Sequence, residues 1–164
     1  MGRFNYQRSL TLVVQVMKFK RNGQQMGDIT MFRRMRIRFL FLRGIFHAAI
    51  DSRPKSIADF SELLKLDPNN LDVYRHRASI HQRNGDYGNA LADFAAAIAI
   101  DPKNPIPYHE RGIIYGFKNE HDKAFREFSK AIELNPLFFE AYFIRGMAYG
   151  KLKEYDKAIT EFTK

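Results

Sequence analysis

The sequence contains no cysteine, which excludes disulfides, thiolate metal sites and cysteine nucleophiles and favours a reducing, cytoplasmic setting. It also lacks any stretch approaching the roughly 18 consecutive apolar residues of a membrane-spanning helix. The best early run, LTLVVQVM at residues 10–17, is too short to span and is followed by no small-residue cleavage site, so neither a membrane span nor a signal peptide is expected. Gly2 stands where myristoylation needs it, but Tyr6 occupies the place of the required Ser or Thr, and a lipid anchor is discounted. Catalytic motifs are missing as well. No histidine pair brackets a glutamate at zinc-hydrolase spacing, and there is no glycine-rich phosphate loop and no G-x-S-x-G elbow. No catalytic residue, metal site or cofactor is expected, and the chain does not read as an enzyme.

What the chain does have is apolar and aromatic material, 45% and 14% of 164 residues, enough for one domain with a continuous core. Its net charge of +9 is distributed unevenly. Residues 1–36 hold eight Lys and Arg against the single acid Asp28, a balance of +7, while residues 37–164 hold 19 against 17, a balance of +2. The basic character therefore belongs mainly to an N-terminal extension, residues 1–36, whose charge suits nucleic acid, acidic protein or anionic lipid. Two structures fit this extension. SLTLVVQVMKFKRNGQQMGDITMF alternates loosely around Asn22-Gly23 as a hairpin would, whereas MFRRMRIRFLFLRG can extend the helix that follows it.

Beyond the extension, one period organises the sequence. Asp67-Pro68, Asp101-Pro102 and Asn135-Pro136 recur every 34 residues, each after an aliphatic residue, Leu66, Ile100 or Leu134. The same frame aligns Phe60, Phe94, Phe128 and Phe162; Ser56, Ala90, Ala124 and Ala158; Gly44, Ala78, Gly112 and Gly146; and Leu40, Tyr74, Tyr108 and Tyr142. Four units result: 37–70, 71–104, 105–138 and an incomplete 139–164. Apolar and small residues fall three and four apart in both halves of a unit, which predicts two helices with a turn between them, plainest in RNGDYG at residues 83–88. Small residues on both helices allow close approach, and the proline ends the second helix.

AYFIRGMAYGKLKEYDKAITEFTK and its sister units resemble the tetratricopeptide repeat, over residues 37–164. The resemblance implies an all-α fold, a right-handed α-α superhelix of antiparallel helix pairs whose first helices line a concave groove that binds a peptide or helix of a partner protein. The first unit departs most, with His47 for the later tyrosines, Ser56 and Leu63 for alanines and Pro54 at the turn, as suits an N-terminal cap. The last unit stops within its second helix, which leaves Ile159 and Phe162 at an open end: a frayed final helix, a fragmentary chain, or an end for self-association. His47 and His81 occupy the tyrosine column and read as packing residues rather than metal ligands.

An arginine recurs in each unit, Arg43, Arg77, Arg111 and Arg145, and sixteen residues after each comes an acid, Asp59, Asp93, Glu127 and Glu161. Two opposite-charge columns at fixed spacing predict a structural ion-pair ladder, because the planar guanidinium can bond a carboxylate twice while its stem packs on apolar neighbours. The groove that the resemblance implies is lined by Phe41, Ile45, Arg75, Ser79, Gln82, Arg83, His109, Ile113, Phe117, Phe143, Met147 and Lys151, with Ile106 and Glu140 beside them. That lining suits an amphipathic protein segment carrying acids. The carboxylate clamp by which one subfamily grips acidic chaperone tails is absent, since its positions hold Phe41, Ile45, His76, Ile106 and Glu110, or one unit later Arg75, Ser79, Glu110, Glu140 and Ile144. The expectation is a non-enzymatic interaction scaffold; the alternative is a nucleic-acid or ribosome-associated protein that makes contact through its basic extension.

Overall fold

A computed structural model describes residues 26–164, with side chains from residue 30 onward. Among the described residues all regular structure is helical: α1 Met26–Ala49, α2 Arg53–Leu66, α3 Leu71–Arg83, α4 Tyr87–Ile100, α5 Pro105–Phe117, α6 His121–Leu134, α7 Phe139–Lys151 and α8 Tyr155–Phe162. The first arm of the expected hairpin and its turn lie outside the described residues. Its second arm, from Met26, is helix instead, as the competing reading has it, and no proline interrupts α1 along its length. The chain divides after Phe39 into two units, and the second, residues 40–164, is compact and holds the helix pairs.

Several helix ends have a clear local cause. Pro54 and Pro105 sit in the first turn of α2 and α5, where a missing N–H leaves nothing unpaired. The Asn70 side chain accepts from the Val73 N–H at 3.2 Å and that of Asn104 from the Ile106 N–H at 3.0 Å, capping α3 and α5. Asp86 caps α4 by accepting from the Asn89 N–H at 3.3 Å. The Asn89 side-chain amide, and then that backbone N–H, hold the Asp86 carboxyl below its usual range. At the other ends, Asp67, Asp101 and Asn135 turn extended before their prolines while their N–H groups still bond Leu63, Ala97 and Ala131.

The turns inside the units share a backbone feature at the same period. Asp51, Gly85, Asn119 and Lys153 all have left-handed φ, at 56°, 74°, 58° and 62°. Only glycine adopts this freely; Asp and Asn tolerate it, and lysine does not.

From α2 onward each helix packs on the next along the chain, and α5 also touches α7. This is an all-α solenoid. Its core is the phenylalanine column, with Phe60, Phe94 and Phe128 essentially inaccessible to solvent, each stabilising the fold by about 1.5–3 kcal/mol through apolar burial. The rings press on the facing first helix so closely that a Cβ at Gly44 or Gly112 would lie 2.7 Å from Phe60 or Phe128. Unit two has alanine there, and Ala78 joins Ala90, Phe94 and Ile114 in a buried cluster. In unit one, Ser56 replaces the usual alanine and is fully buried; its hydroxyl donates to the Gly44 carbonyl at 2.7 Å, so no polar group is left unpaired.

Candidate functional site

The arginine column joins first helix to second helix in every unit. Arg43 Nε donates to Asp59 Oδ1 at 2.9 Å. Arg77 forks onto both oxygens of Asp93 at 2.8 and 2.6 Å, which raises its own pKa, the hydrogen bond outweighing the loss of solvent. Arg111 Nη2 reaches both oxygens of Glu127 at 2.7 and 2.9 Å, and Arg145 reaches Glu161 at 2.9 and 2.7 Å. The guanidinium carbons of Arg77, Arg111 and Arg145 also stand 5.7–5.8 Å from the rings of Tyr74, Tyr108 and Tyr142, a cation–π distance. Asp59 is shared, because His47 Nδ1 lies 2.8 Å from its second oxygen. His81 Nδ1 lies 3.1 Å from Asp86.

Two of these arginines also reach across the unit boundary. Arg77 Nη1 donates to Ser61 Oγ and Arg145 Nη1 to Ser129 Oγ, both at 2.8 Å. The sequence pattern alone did not mark these serines, although Ser61 and Ser129 are two periods apart and sixteen residues before their arginines. The intervening position is Ala95, and Arg111 is the ladder arginine whose Nε is buried without a hydrogen-bond partner.

The expected groove residues fall on the first helices with mixed exposure. Ser79, Arg83, Phe117, Phe143, Met147, Lys151 and Glu140 are exposed; Phe41, Ile45, Arg75, Gln82, Ile106 and Ile113 are half-buried. Three large apolar side chains dominate the accessible set, Phe117 at 59%, Phe143 at 55% and Met147 at 44%. Phe117 lies parallel to Tyr87 with ring centres 6.0 Å apart, and Phe143 is tilted against Phe162 at 5.7 Å. Phe41 packs on Phe60 at 6.2 Å and edge-on to His76 at 5.5 Å. His76 in turn stacks on Phe60 at 5.8 Å, and loss of solvent, then Arg75 beside it, lower its pKa.

His109 is placed differently from the open groove wall expected of it. It is buried, with its ring 5.0 Å from Phe138 and 5.9 Å from Phe128. Its Nε2 has no hydrogen-bond partner, and burial lowers its pKa against the opposing pull of Glu110 and Glu140. Phe138 is the cause: it stands where the preceding unit boundaries have the capping residues Asn70 and Asn104, so α7 has no side-chain cap and the ring covers His109 instead.

Among the described residues no group of His, Asp and Glu is placed to hold a metal ion, and no helix is long and apolar enough to cross a membrane.

Three family models, each described as tetratricopeptide repeat, match residues 51–105, 107–136 and 127–160. No curated protein matches the chain. Among solved structures, MamA from Desulfovibrio magneticus is 19% identical with a TM-score of 0.71, the match covering 99% of this chain and 93% of that one. The first tetratricopeptide repeat domain of Spaghetti (RPAP3), bound to an HSP90 peptide, is 21% identical with a TM-score of 0.66, over 72% of this chain and 94% of that one. An O-GlcNAc transferase from Thermobaculum terrenum is 19% identical with a TM-score of 0.63, over 71% of this chain but only 22% of the transferase. These likenesses are of fold.

Proposed function

Because the chain belongs to the tetratricopeptide repeat family, we propose that it is a non-enzymatic interaction scaffold that holds a segment of a partner protein against its first helices. One observation carries this reading: Phe117, Phe143 and Met147 are large, apolar and about half exposed on α5 and α7, even with Phe117 against Tyr87 and Phe143 against Phe162. Phe60, Phe94 and Phe128 of the phenylalanine column and the whole alanine column are buried, whereas Phe162 in the last unit is 52% exposed. Accessible apolar side chains on α5 and α7 together with Arg75 and Arg83 on α3 suit an amphipathic segment that carries acids. The HSP90 peptide bound by the RPAP3 domain is not carried over, because the clamp residues are absent from this sequence.

A second reading has its own observation. Arg33, Arg34 and Arg36 are all exposed on α1, which supports contact with nucleic acid through the basic segment. Pull-down with the full chain, a deletion of residues 1–36 and a Phe117→Ser/Phe143→Ser variant separates the two. Capture that survives the deletion and disappears in the phenylalanine variant is expected. Capture that disappears with the deletion and with added salt, and survives the phenylalanine variant, overturns the scaffold reading.

A further inference from the structure

We propose that the partner segment binds with one fixed polarity, an acidic end on Arg75 and Arg83 of α3 and large apolar side chains on Phe117, Phe143 and Met147 of α5 and α7, a polarity that rests on the groove assignment.

The arginines of the repeat unit are of two kinds. Ladder arginines such as Arg77 hold their acids at 2.6–2.8 Å, so their forks are already occupied. Arg75 comes no closer than 3.5 Å to Asp72, and Arg83 no closer than 3.6 Å to Asp51. Both separations exceed the 2.7–2.9 Å or so of a charge-assisted hydrogen bond, and both acids are largely exposed, where water screens the attraction. The two groove cations of α3 are therefore able to take a carboxylate from outside.

Arg75 has a further reason to do so. Its Nε is enclosed without a hydrogen-bond partner, and a buried, unpaired donor is costly. An incoming carboxylate that draws the guanidinium outward gives that donor a partner and removes the cost.

Charge then falls away along the stack. The groove face of α3 carries Asp72 with two arginines, that of α7 carries Glu140 with Lys151, and that of α5 presents Ile106, Ile113 and Phe117 with Glu110 as its acid. His109 adds no charge to α5 near neutral pH, since burial favours its neutral form. Cationic excess sits at α3 and exposed apolar surface at α5 and α7, two first helices in direct contact. A segment with acids at one end and Leu, Phe or Met at the other matches this order; its reverse sets acids beside Glu140.

The test is selection of a random linear peptide display library on the immobilised full chain, followed by affinity measurement on the synthetic consensus peptide. The expected consensus has Asp or Glu to one side of a Leu, Phe or Met cluster. Arg75→Gln/Arg83→Gln should weaken that peptide about tenfold or more, and Arg83→Glu, a substitution at an exposed position, should select Lys or Arg in place of the acids. Phe117→Ser/Phe143→Ser should abolish binding of the apolar half. Binding that needs the phenylalanines but shows no acids, or acids indifferent to the arginine changes, overturns the polarity and leaves the groove standing. No enriched peptide, or peptides indifferent to both sets of variants, overturns the groove and the polarity together.

Discussion

Arg111 and Glu127 are each mostly shielded, with side-chain exposures of 20% and 15%, so their contact is more than a surface ion pair. Removing either partner strands a charge in a place where water cannot fully restore its solvation. A double-mutant cycle on Arg111 and Glu127, read from denaturant unfolding, is expected to give a coupling of about 1–2 kcal/mol; no coupling contradicts a structural ladder. The pairing was legible because a sixteen-residue offset repeats four times. The serine acceptors of Arg77 and Arg145 were harder to read, since Ala95 interrupts their column. His109 was misplaced for a different reason: its position in the repeat says groove, but Phe138, a local exception to the capping asparagines, closes over it. That burial has a pH signature. The folded-state pKa of His109 is lowered, so below the unfolded value of about 6.5 the unfolded chain gains the proton first. Stability contributed by this site is full above that pH and is lost as pH falls below it toward the folded pKa. His109→Phe, which installs the residue that units one and four carry at this position, should flatten the fall in melting temperature between about pH 7 and pH 5. His76, lowered in the same direction, keeps the slope from vanishing. Identical pH profiles for variant and wild type contradict burial as the cause.

Among the elements, the helix pairs were readable because prolines, small residues and phenylalanines recur at one period and each has a single steric role. The turns were readable only in part. Gly85 announces a left-handed residue, whereas Asp51, Asn119 and Lys153 do not, since their side chains are ordinary on an exposed turn and only the backbone shows the requirement. Lysine is the least suited of the four to φ 62°. Lys153→Gly is therefore expected to stabilise the fold by about 1 kcal/mol in thermal or denaturant unfolding, from relief of left-handed strain; an unchanged or lower stability contradicts that strain. The start of α1 was not legible, because the segment before residue 37 has no repeat columns to set its register and its alternation allowed a strand.

For the whole molecule, on the scaffold reading, fold and binding are assigned to different positions of the same period. Columns that repeat, such as Phe60, Phe94 and Phe128, are buried and encode the stack. Positions that differ from unit to unit are the ones the proposed scaffold would use for its partner: Phe41, Arg75 and Phe143 share one place in the frame with the buried His109, and Ile45, Ser79, Ile113 and Met147 share another. Such variation does not name an occupant, which is why the proposed partner's chemistry is legible in outline only. The competing contact surface, the basic segment, lies at the other end of the chain, so the two are separable by where binding slows exchange. Amide hydrogen exchange of the full chain with and without its captured partner is the most direct measurement. Slowed exchange in α3, α5 and α7, with α4 and α6 unchanged, is expected. Protection confined to the first residues of α1 and the segment before it contradicts the scaffold.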